Sequence, residues 1–143
     1  MLIINSIAGN DGFNTNLTRL PLTIAHSPAG TSIKNLVHFS QMINSYQLQK
    51  FDYGNYMNRH IYDQDNPPSY TLKNFNIPTI IYHGGNDHLC TNESIDLLKQ
   101  RINKTIISVN YIENYNHLGY FWSINAVDLI YSSLLTLIAK YQG

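Results

Sequence analysis

Two side chains in the second half of the chain have the types and the setting of an acid–base pair. Asp87 follows a short apolar run at 79–83 and a Gly-Gly pair. His117 lies 30 residues after Asp87 and follows a second apolar run, at 106–111. Imidazole exchanges a proton near neutral pH, and a neighbouring carboxylate can fix its tautomer and stabilise its charged form. The two residues therefore predict the acid and the base of a Ser-His-Asp triad.

A parallel sheet would bring these two side chains together. Residues 79–83 form a short run rich in β-branched residues between Pro78 and Gly84, which predicts a buried strand, and residues 106–111 predict a second strand. Parallel sheets place their functional groups beyond the carboxyl ends of the strands. Asp87 and His117 are therefore expected to meet at that edge, with Gly84 and Gly85 allowing the tight turn that presents the carboxylate.

Two helices are predicted to alternate with these strands. Thr91 or Asn92 caps the first helix, and the second runs from Ile124 to Lys140. Strand, loop and helix, repeated twice, predict an α/β fold with two parallel units. Two parallel strands do not form a stable sheet alone, so neighbouring strands are expected to precede Met1. The residues expected to face inward are Ile95, Leu97, Leu98 and Ile102 in the first helix, and Ala126, Leu129, Ile130, Leu134, Leu137 and Ile138 in the second.

The first half of the chain has a different character. Thr31-Ser32 predicts the start of a helix with an apolar stripe at i, i+3/i+4 spacing. Segments rich in Asn, Gly, His and Tyr surround it, without an obvious series of strands. This half is expected to be an insertion that meets the second half near Pro67-Pro68. The stripe consists of Ile33, Leu36, Val37, Ser40 and Ile43.

Composition excludes several kinds of partner and site. Nine basic and nine acidic residues cancel in 143, so no charge field indicates nucleic acid. No apolar run approaches the ~18 residues of a membrane-spanning helix, and no signal peptide is predicted at the amino terminus. Cys90 is the single cysteine, which excludes an internal disulfide and a C-x-x-C metal site.

Three N-x-[S/T] sequons make Asn16, Asn92 and Asn103 candidate glycosylation sites. They indicate passage through the secretory pathway. Without a signal peptide in this chain, they also lead us to expect that an amino-terminal part is absent from it.

A metal site is the alternative interpretation of the residues around Asp87. His83, Asp87 and His88 are residue types that suit zinc. However, His83 lies within the predicted strand, and the helical H-E-x-x-H spacing is absent. We therefore predict neither a metal nor a cofactor.

The chain lacks a recognisable serine nucleophile. No G-x-S-x-G occurs in it. Ser27 precedes Asp87 and His117, as the order Ser, Asp, His requires, but alanines occupy both flanking positions that should be glycine. The next residue, Pro28, has no N–H to donate to an oxyanion hole. Ser6 also lacks the flanking glycines.

Several blocks of sequence, in the same order, resemble the acid lipases, the family of lysosomal acid lipase and gastric lipase. The resemblance runs from about Gly12 to Tyr141. The blocks are H-S-P-A-G-T-S at 26–32, N-L-V-H-F-S-Q at 35–41, F-D-Y-G at 51–54, Y-M-N at 56–58, P-P-S-Y at 67–70, I-P-T at 77–79, G-G-N-D at 84–87, and N-H-L at 116–118 with F-W at 121–122.

The resemblance implies a carboxylic ester hydrolase, a lipase, that acts on neutral lipid esters such as triacylglycerols or cholesteryl esters. Asp87 and His117 match the family's triad acid and base. The serine and the oxyanion loop would precede Met1, so the chain would correspond to the last third of such an enzyme. The full-length parent would be lysosomal or secreted.

The implied fold is the carboxyl-terminal portion of an α/β-hydrolase, its last two strand–helix units, preceded by part of a mainly helical cap. Residues 1–66 would be the later part of the cap, and residues 67–143 the end of the hydrolase core. Phe39 and Tyr46 are candidates for lining the lipid cleft, with ordinary core packing as the alternative.

Three functions stay open at this point. The first is a lipase portion, a fragment that is inactive by itself because it has no serine or oxyanion hole. The second is a non-catalytic remnant that binds lipid or a protein partner, for which Asp87 and His117 would not be needed. The third is an α/β-hydrolase of another specificity, such as a peptidase, which would not explain the cap-like blocks.

Overall fold

Helices and a small parallel sheet make up the computed structural model, which describes residues 2–10, 14–27 and 29–141. This mixture confirms the predicted α/β class. The elements in these ranges are α1 (Leu2–Ala8), α2 (Leu20–His26), α3 (Ile33–Ser45), α4 (Asn55–Tyr62), β1 (Thr79–Gly84), α5 (Asn92–Ile102), a 3₁₀ turn (Asn103–Thr105), β2 (Ile106–Ile112), α6 (Gly119–Trp122), a π-helical turn (Val127–Tyr131) and α7 (Ser132–Lys140).

Strands β1 and β2 lie where the apolar runs predict them. They pair in parallel, with Ile81 opposite Val109 and His83 opposite Tyr111. Helix α5 and the 3₁₀ turn connect them, as a parallel pair requires. Both strands therefore end at the same edge of the sheet, which the predicted acid–base pair needs.

Helix α5 begins at the predicted cap. The Thr91 hydroxyl accepts a hydrogen bond from the Ser94 backbone N–H at 3.4 Å, which satisfies one of the helix's free donors. Ile95 and Ile102 are buried, as predicted, and Leu98 is half-buried. The prediction for Leu97 is wrong, because this side chain is exposed. Its position differs from that of Ile95 by two residues, or about 200° around the helix.

The last predicted helix differs from the structure at its start. Helical structure begins at Val127 rather than Ile124, as a π-helical turn that continues into α7. Ala126 and Ile130 are buried, as predicted, while Leu134 and Leu137 are half-buried. Leu129 and Ile138 are exposed, so the prediction that they face inward is wrong. A π turn contains more residues than an α turn, which shifts the helical stripe relative to a 3.6-residue pattern.

The chain forms two compact units. The first combines Met1–Ser27 with Phe75–Gly143 and contains the sheet, and the second is Pro28–Asn74. Pro28, used above to exclude Ser27 as a nucleophile, lies outside the described residues. The division into a cap at 1–66 and a hydrolase core at 67–143 stays a prediction. No helix in the described part of the chain is long and apolar enough to cross a membrane.

Helix α3 in the second unit starts at its predicted cap. The Ser32 hydroxyl accepts a hydrogen bond from the Lys34 N–H at 3.1 Å. The apolar side chains of the predicted stripe are nevertheless exposed to solvent along the whole helix. They are Ile33, Leu36, Val37 and Ile43.

Asn58 is the fully buried polar centre of the second unit. Its amide oxygen accepts from the Tyr53 N–H at 3.0 Å. Its amide nitrogen donates to the Asp52 carboxylate at 2.7 Å and to the Asp65 carbonyl at 2.8 Å. Three separate segments thus meet at one side chain whose hydrogen-bonding capacity is largely used.

Replacing Asn58 by Ala should lower the free energy of unfolding by about 1–3 kcal/mol, because it removes the partner of two part-buried backbone groups and of the Asp52 carboxylate. Urea unfolding followed by circular dichroism would measure the loss. Asn44→Ala, at an exposed position of α3, is the matched control and should change stability by less than about 0.5 kcal/mol. Equal stability of the two variants would contradict the role given to Asn58.

Candidate active site

The turn after β1 lies directly against the loop that carries His117. The Gly85 N–H donates to the Ile112 carbonyl at 3.0 Å, and the Asn86 N–H donates to the Tyr115 carbonyl at 2.9 Å. A Cβ atom at Gly84 would overlap the Tyr115 carbonyl oxygen. Glycine is therefore required at this position for close approach of the two loops, in addition to any freedom it gives the turn.

The Asp87 carboxylate is nearly sealed from water, with 3% of its side chain exposed. One of its oxygens, Oδ1, accepts backbone N–H bonds from Leu89 at 2.9 Å and Cys90 at 2.8 Å. These bonds hold the carboxylate in one orientation. Local backbone geometry therefore positions Asp87 even without the histidine.

His117 completes the predicted pair. Its Nδ1 lies 3.2 Å from Asp87 Oδ1 and 3.1 Å from Oδ2. The histidine side chain is 45% exposed, so the pair joins a buried carboxylate to an imidazole open to solvent. Two residues separated by 30 positions in sequence thus meet at the carboxyl edge of the sheet, as the sequence predicts.

The geometry determines what the imidazole can do. An ionised carboxylate only accepts hydrogen bonds, so Nδ1 must carry the proton that is shared with Asp87. In the neutral ring, Nε2 then has the free lone pair. His117 can accept a proton from a substrate or a nucleophile at Nε2, while Asp87 stabilises the resulting imidazolium.

Residues near the amino terminus also hold the His117 loop, a contact that no motif in the sequence predicts. The His117 N–H donates to the Ala8 carbonyl at 2.9 Å. The buried Asn116 amide donates to the Gly9 carbonyl at 2.8 Å, and its oxygen accepts from the Leu118 N–H at 2.9 Å. The main chain on both sides of the imidazole is therefore fixed.

Gly9 has a conformation that favours glycine, with φ +91°, and a Cβ there would overlap the Asn86 carbonyl oxygen. Its segment therefore contacts the Asp87 loop as well as the His117 loop. In the sequence, only the glycine of A-G-N at 8–10 indicates a special backbone conformation here. A single glycine does not predict which distant segment it contacts.

Two further groups surround the carboxylate. Burial, followed by the Asp87 charge, raises the pKa of the Cys90 thiol. Burial and the charges of Asp87 and Cys90 raise the pKa of Tyr120 to about 12. Tyr120 is therefore a neutral phenol at physiological pH, and its ring packs edge-on against Tyr115 at 5.7 Å between centroids.

The residues of the competing metal reading do not converge in the structure. His83 Nδ1 lies 3.1 Å from the Asn92 amide oxygen, and the ring packs on Tyr111. His88 is exposed. Within the described ranges, no three His, Cys, Asp or Glu side chains are grouped to hold a metal ion.

The two serines weighed as nucleophiles both lie at helices. Ser6 is within α1, and Ser27 follows the last residue of α2. Neither occupies the turn between a strand and a helix that an exposed serine nucleophile of this kind uses.

The remaining candidate residues differ in exposure. Phe39 is 41% exposed and Tyr46 76% exposed in the second unit, so Tyr46 is not a core residue, and their place in a lipid cleft stays a prediction. Asn92 and Asn103 are exposed and Asn16 is half-buried. Glycosylation of these three residues also stays a prediction.

Comparisons with known proteins relate the chain to lipases. It is 37% identical over 136 residues to gastric triacylglycerol lipase of Bos taurus, 34% identical over 140 residues to lysosomal acid lipase/cholesteryl ester hydrolase of Rattus norvegicus, and 36% identical over 134 residues to lipase lipl-1 of Caenorhabditis elegans. The alignments cover 94%, 95% and 92% of this chain. No protein-family model matches it.

The same alignments cover 34%, 34% and 33% of the three relatives. The chain therefore spans about a third of the length of the curated relatives it matches. The predicted resemblance to the gastric and lysosomal acid lipases is confirmed over this part.

Asp87→Asn should change the imidazole tautomer of His117. An amide can present an N–H to Nδ1, which favours the tautomer that carries its proton on Nε2. Nitrogen-15 shifts of the two ring nitrogens, measured above the pH at which the ring is protonated, distinguish the tautomers. Asp96→Asn removes an exposed carboxylate that pairs with Lys99 and is the control. An unchanged tautomer in Asp87→Asn would contradict the assigned hydrogen bond.

Cys90 should react with iodoacetamide at pH 8 several-fold more slowly in the folded chain than in urea. The thiolate is the nucleophile, and burial and Asp87 both raise the thiol pKa, so less of the reactive form is present. Mass spectrometry of timed samples gives both rates. Corrected for the effect of urea on a free cysteine peptide, a native rate equal to the unfolded rate would contradict this environment.

Proposed function

We propose that this chain, a homologue of the gastric and lysosomal acid lipases over nearly its whole length, provides the acid and base of the triad of a carboxylic ester hydrolase. The observation that carries the proposal is the 3.1 Å contact between Asp87 and His117 beyond two adjacent parallel strands. The names of its relatives support neutral lipid esters, triacylglycerols or cholesteryl esters, as substrates.

The proposed reaction assigns successive proton transfers to His117. Nε2 takes the proton of a serine hydroxyl as that serine attacks the ester carbonyl, and then gives it to the departing alcohol. Nε2 next takes a proton from the water that attacks the acyl-enzyme carbonyl. It then returns that proton to the departing serine oxygen as the carboxylic acid is released, which restores the free enzyme. Asp87 keeps the ring in the productive tautomer and stabilises its positive charge during each step.

The serine and the oxyanion donors of this mechanism would come from polypeptide outside these 143 residues. The absence of G-x-S-x-G from the sequence supports that part of the proposal. The chain by itself should therefore show no measurable ester hydrolysis, since loss of a triad serine alone costs roughly 10⁶ in rate. By the names of its relatives, the complete enzyme would be lysosomal or secreted.

A chimera tests the proposal directly. This chain would replace the matching third of the gastric triacylglycerol lipase of Bos taurus, and hydrolysis of tributyrin would be measured. We expect activity that falls by roughly 10⁴ or more in Asp87→Asn and roughly 10⁶ in His117→Ala. His88→Ala removes an exposed histidine next to Asp87 in sequence and should leave the rate within about twofold.

Activity that survives His117→Ala would contradict the proposed base. A folded, inactive chimera would favour the alternative, a non-catalytic portion that binds lipid or a protein partner. Circular dichroism and size exclusion of the chimera distinguish that result from failure to fold.

A further inference from the structure

A cavity of about 430 Å³ lies within the unit that contains the sheet. The residues on one side belong to α2 and the segment just before it. Those on the other side belong to α6, to the segment that follows it and to the π-helical turn. The volume lies within the range of sites for small organic ligands.

Backbone contacts hold the two sides of this cavity together. Thr15 and Ser123 form an antiparallel bridge. The Asn16 N–H donates to the Trp122 carbonyl at 2.7 Å, and the Ile124 N–H donates to the Asn14 carbonyl at 2.9 Å. The cavity is therefore bounded by segments with fixed register.

The lining combines polar residues with apolar side chains, and several of the apolar side chains are open to solvent. Leu22 is 65% exposed, Ile124 68% and Val127 57%. Phe121, 79% exposed, belongs to the same surface. An exposed apolar surface of this kind is typical of a binding site for an apolar ligand.

Among the described residues of the lining, Arg19 is the charged one, and none carries a carboxylate. Its backbone is anchored, because its N–H donates to the Asn16 side-chain oxygen at 3.2 Å. Among residues 2–10, 14–27 and 29–141, its guanidinium has no ion-pair partner. Guanidinium stays charged at all physiological pH values and binds a carboxylate through two parallel hydrogen bonds.

We propose that this cavity binds one long-chain carboxylate, a fatty acid, with its head group on Arg19 and its chain along Leu22, Ile124 and Val127. A single cation matches a monoanion, whereas a phosphate dianion would favour a second positive group, and the described residues of the lining supply no other. The proposal depends on the cavity and on the charge of Arg19. It does not require the proposed triad, although a fatty acid is the acid product of the proposed lipase.

Binding to the 143-residue chain tests the site without any turnover. Calorimetric titration would use dodecanoate below its micelle concentration, at pH 8, with methyl dodecanoate as the neutral ligand of equal chain length. We expect dodecanoate to bind at one site and at least tenfold more tightly than the ester, because only the anion forms charge-assisted hydrogen bonds.

Arg19→Gln should weaken dodecanoate binding by about tenfold to a hundredfold and leave the ester unaffected. Arg101→Gln is the matched control, since Arg101 is exposed on α5 and lies outside the lining. Val127→Trp should weaken both ligands by filling the cavity. Arg19 and Val127 are both exposed, and circular dichroism would verify that each variant folds.

Equal affinity of the Arg19→Gln and Arg101→Gln variants would overturn the proposal, as would equal affinity for acid and ester. Absence of dodecanoate binding to the wild-type chain, with its folding verified by circular dichroism, would also overturn it. These results are independent of ester hydrolysis, so the fatty-acid site can fail while the proposed triad stands, and the reverse.

Discussion

The hydrogen bond between the buried Asp87 carboxylate and His117 is the interaction on which the proposed chemistry depends. A carboxylate removed from water is costly unless its lone pairs are satisfied, and here two backbone N–H groups and one imidazole satisfy them. The arrangement leaves Nε2 as the ring atom that can exchange protons with a partner. Asp87, which is buried, can therefore orient the ring, whereas His117, which is exposed, can exchange the proton.

Three parts of the chain must be in place for this contact to exist. Parallel pairing of β1 and β2 puts both loops at one edge of the sheet. Glycine at position 84 lets the loops approach, because a side chain there would occupy the space of the Tyr115 carbonyl. The segment at 8–9 then fixes the histidine loop through backbone and Asn116 hydrogen bonds. The strands and Gly84 lie near Asp87 or His117 in sequence, whereas residues 8–9 are more than 70 residues from Asp87.

The second compact unit is organised differently. Its centre is a polar side chain, Asn58, and its α3 helix exposes an apolar stripe. An amphipathic helix predicts an apolar face, but the pattern does not say what covers that face. The same limit applies to Phe39 and Tyr46, whose aromatic character indicated either a lipid cleft or a core, and whose exposures are 41% and 76%.

The amino-acid sequence by itself determined the strands, the caps of α3 and α5, and which two residues, Asp87 and His117, meet at the edge of the sheet. These features depend on local patterns: apolar runs, capping hydroxyls and a glycine turn that presents a carboxylate. Tertiary structure decided the contact of Gly9 with Asn86, the π turn that changes the outward face of the last helix, and the cavity around Arg19. Each of these depends on close approach of segments distant in sequence, or on a helical period that departs from 3.6 residues, and no local pattern encodes either.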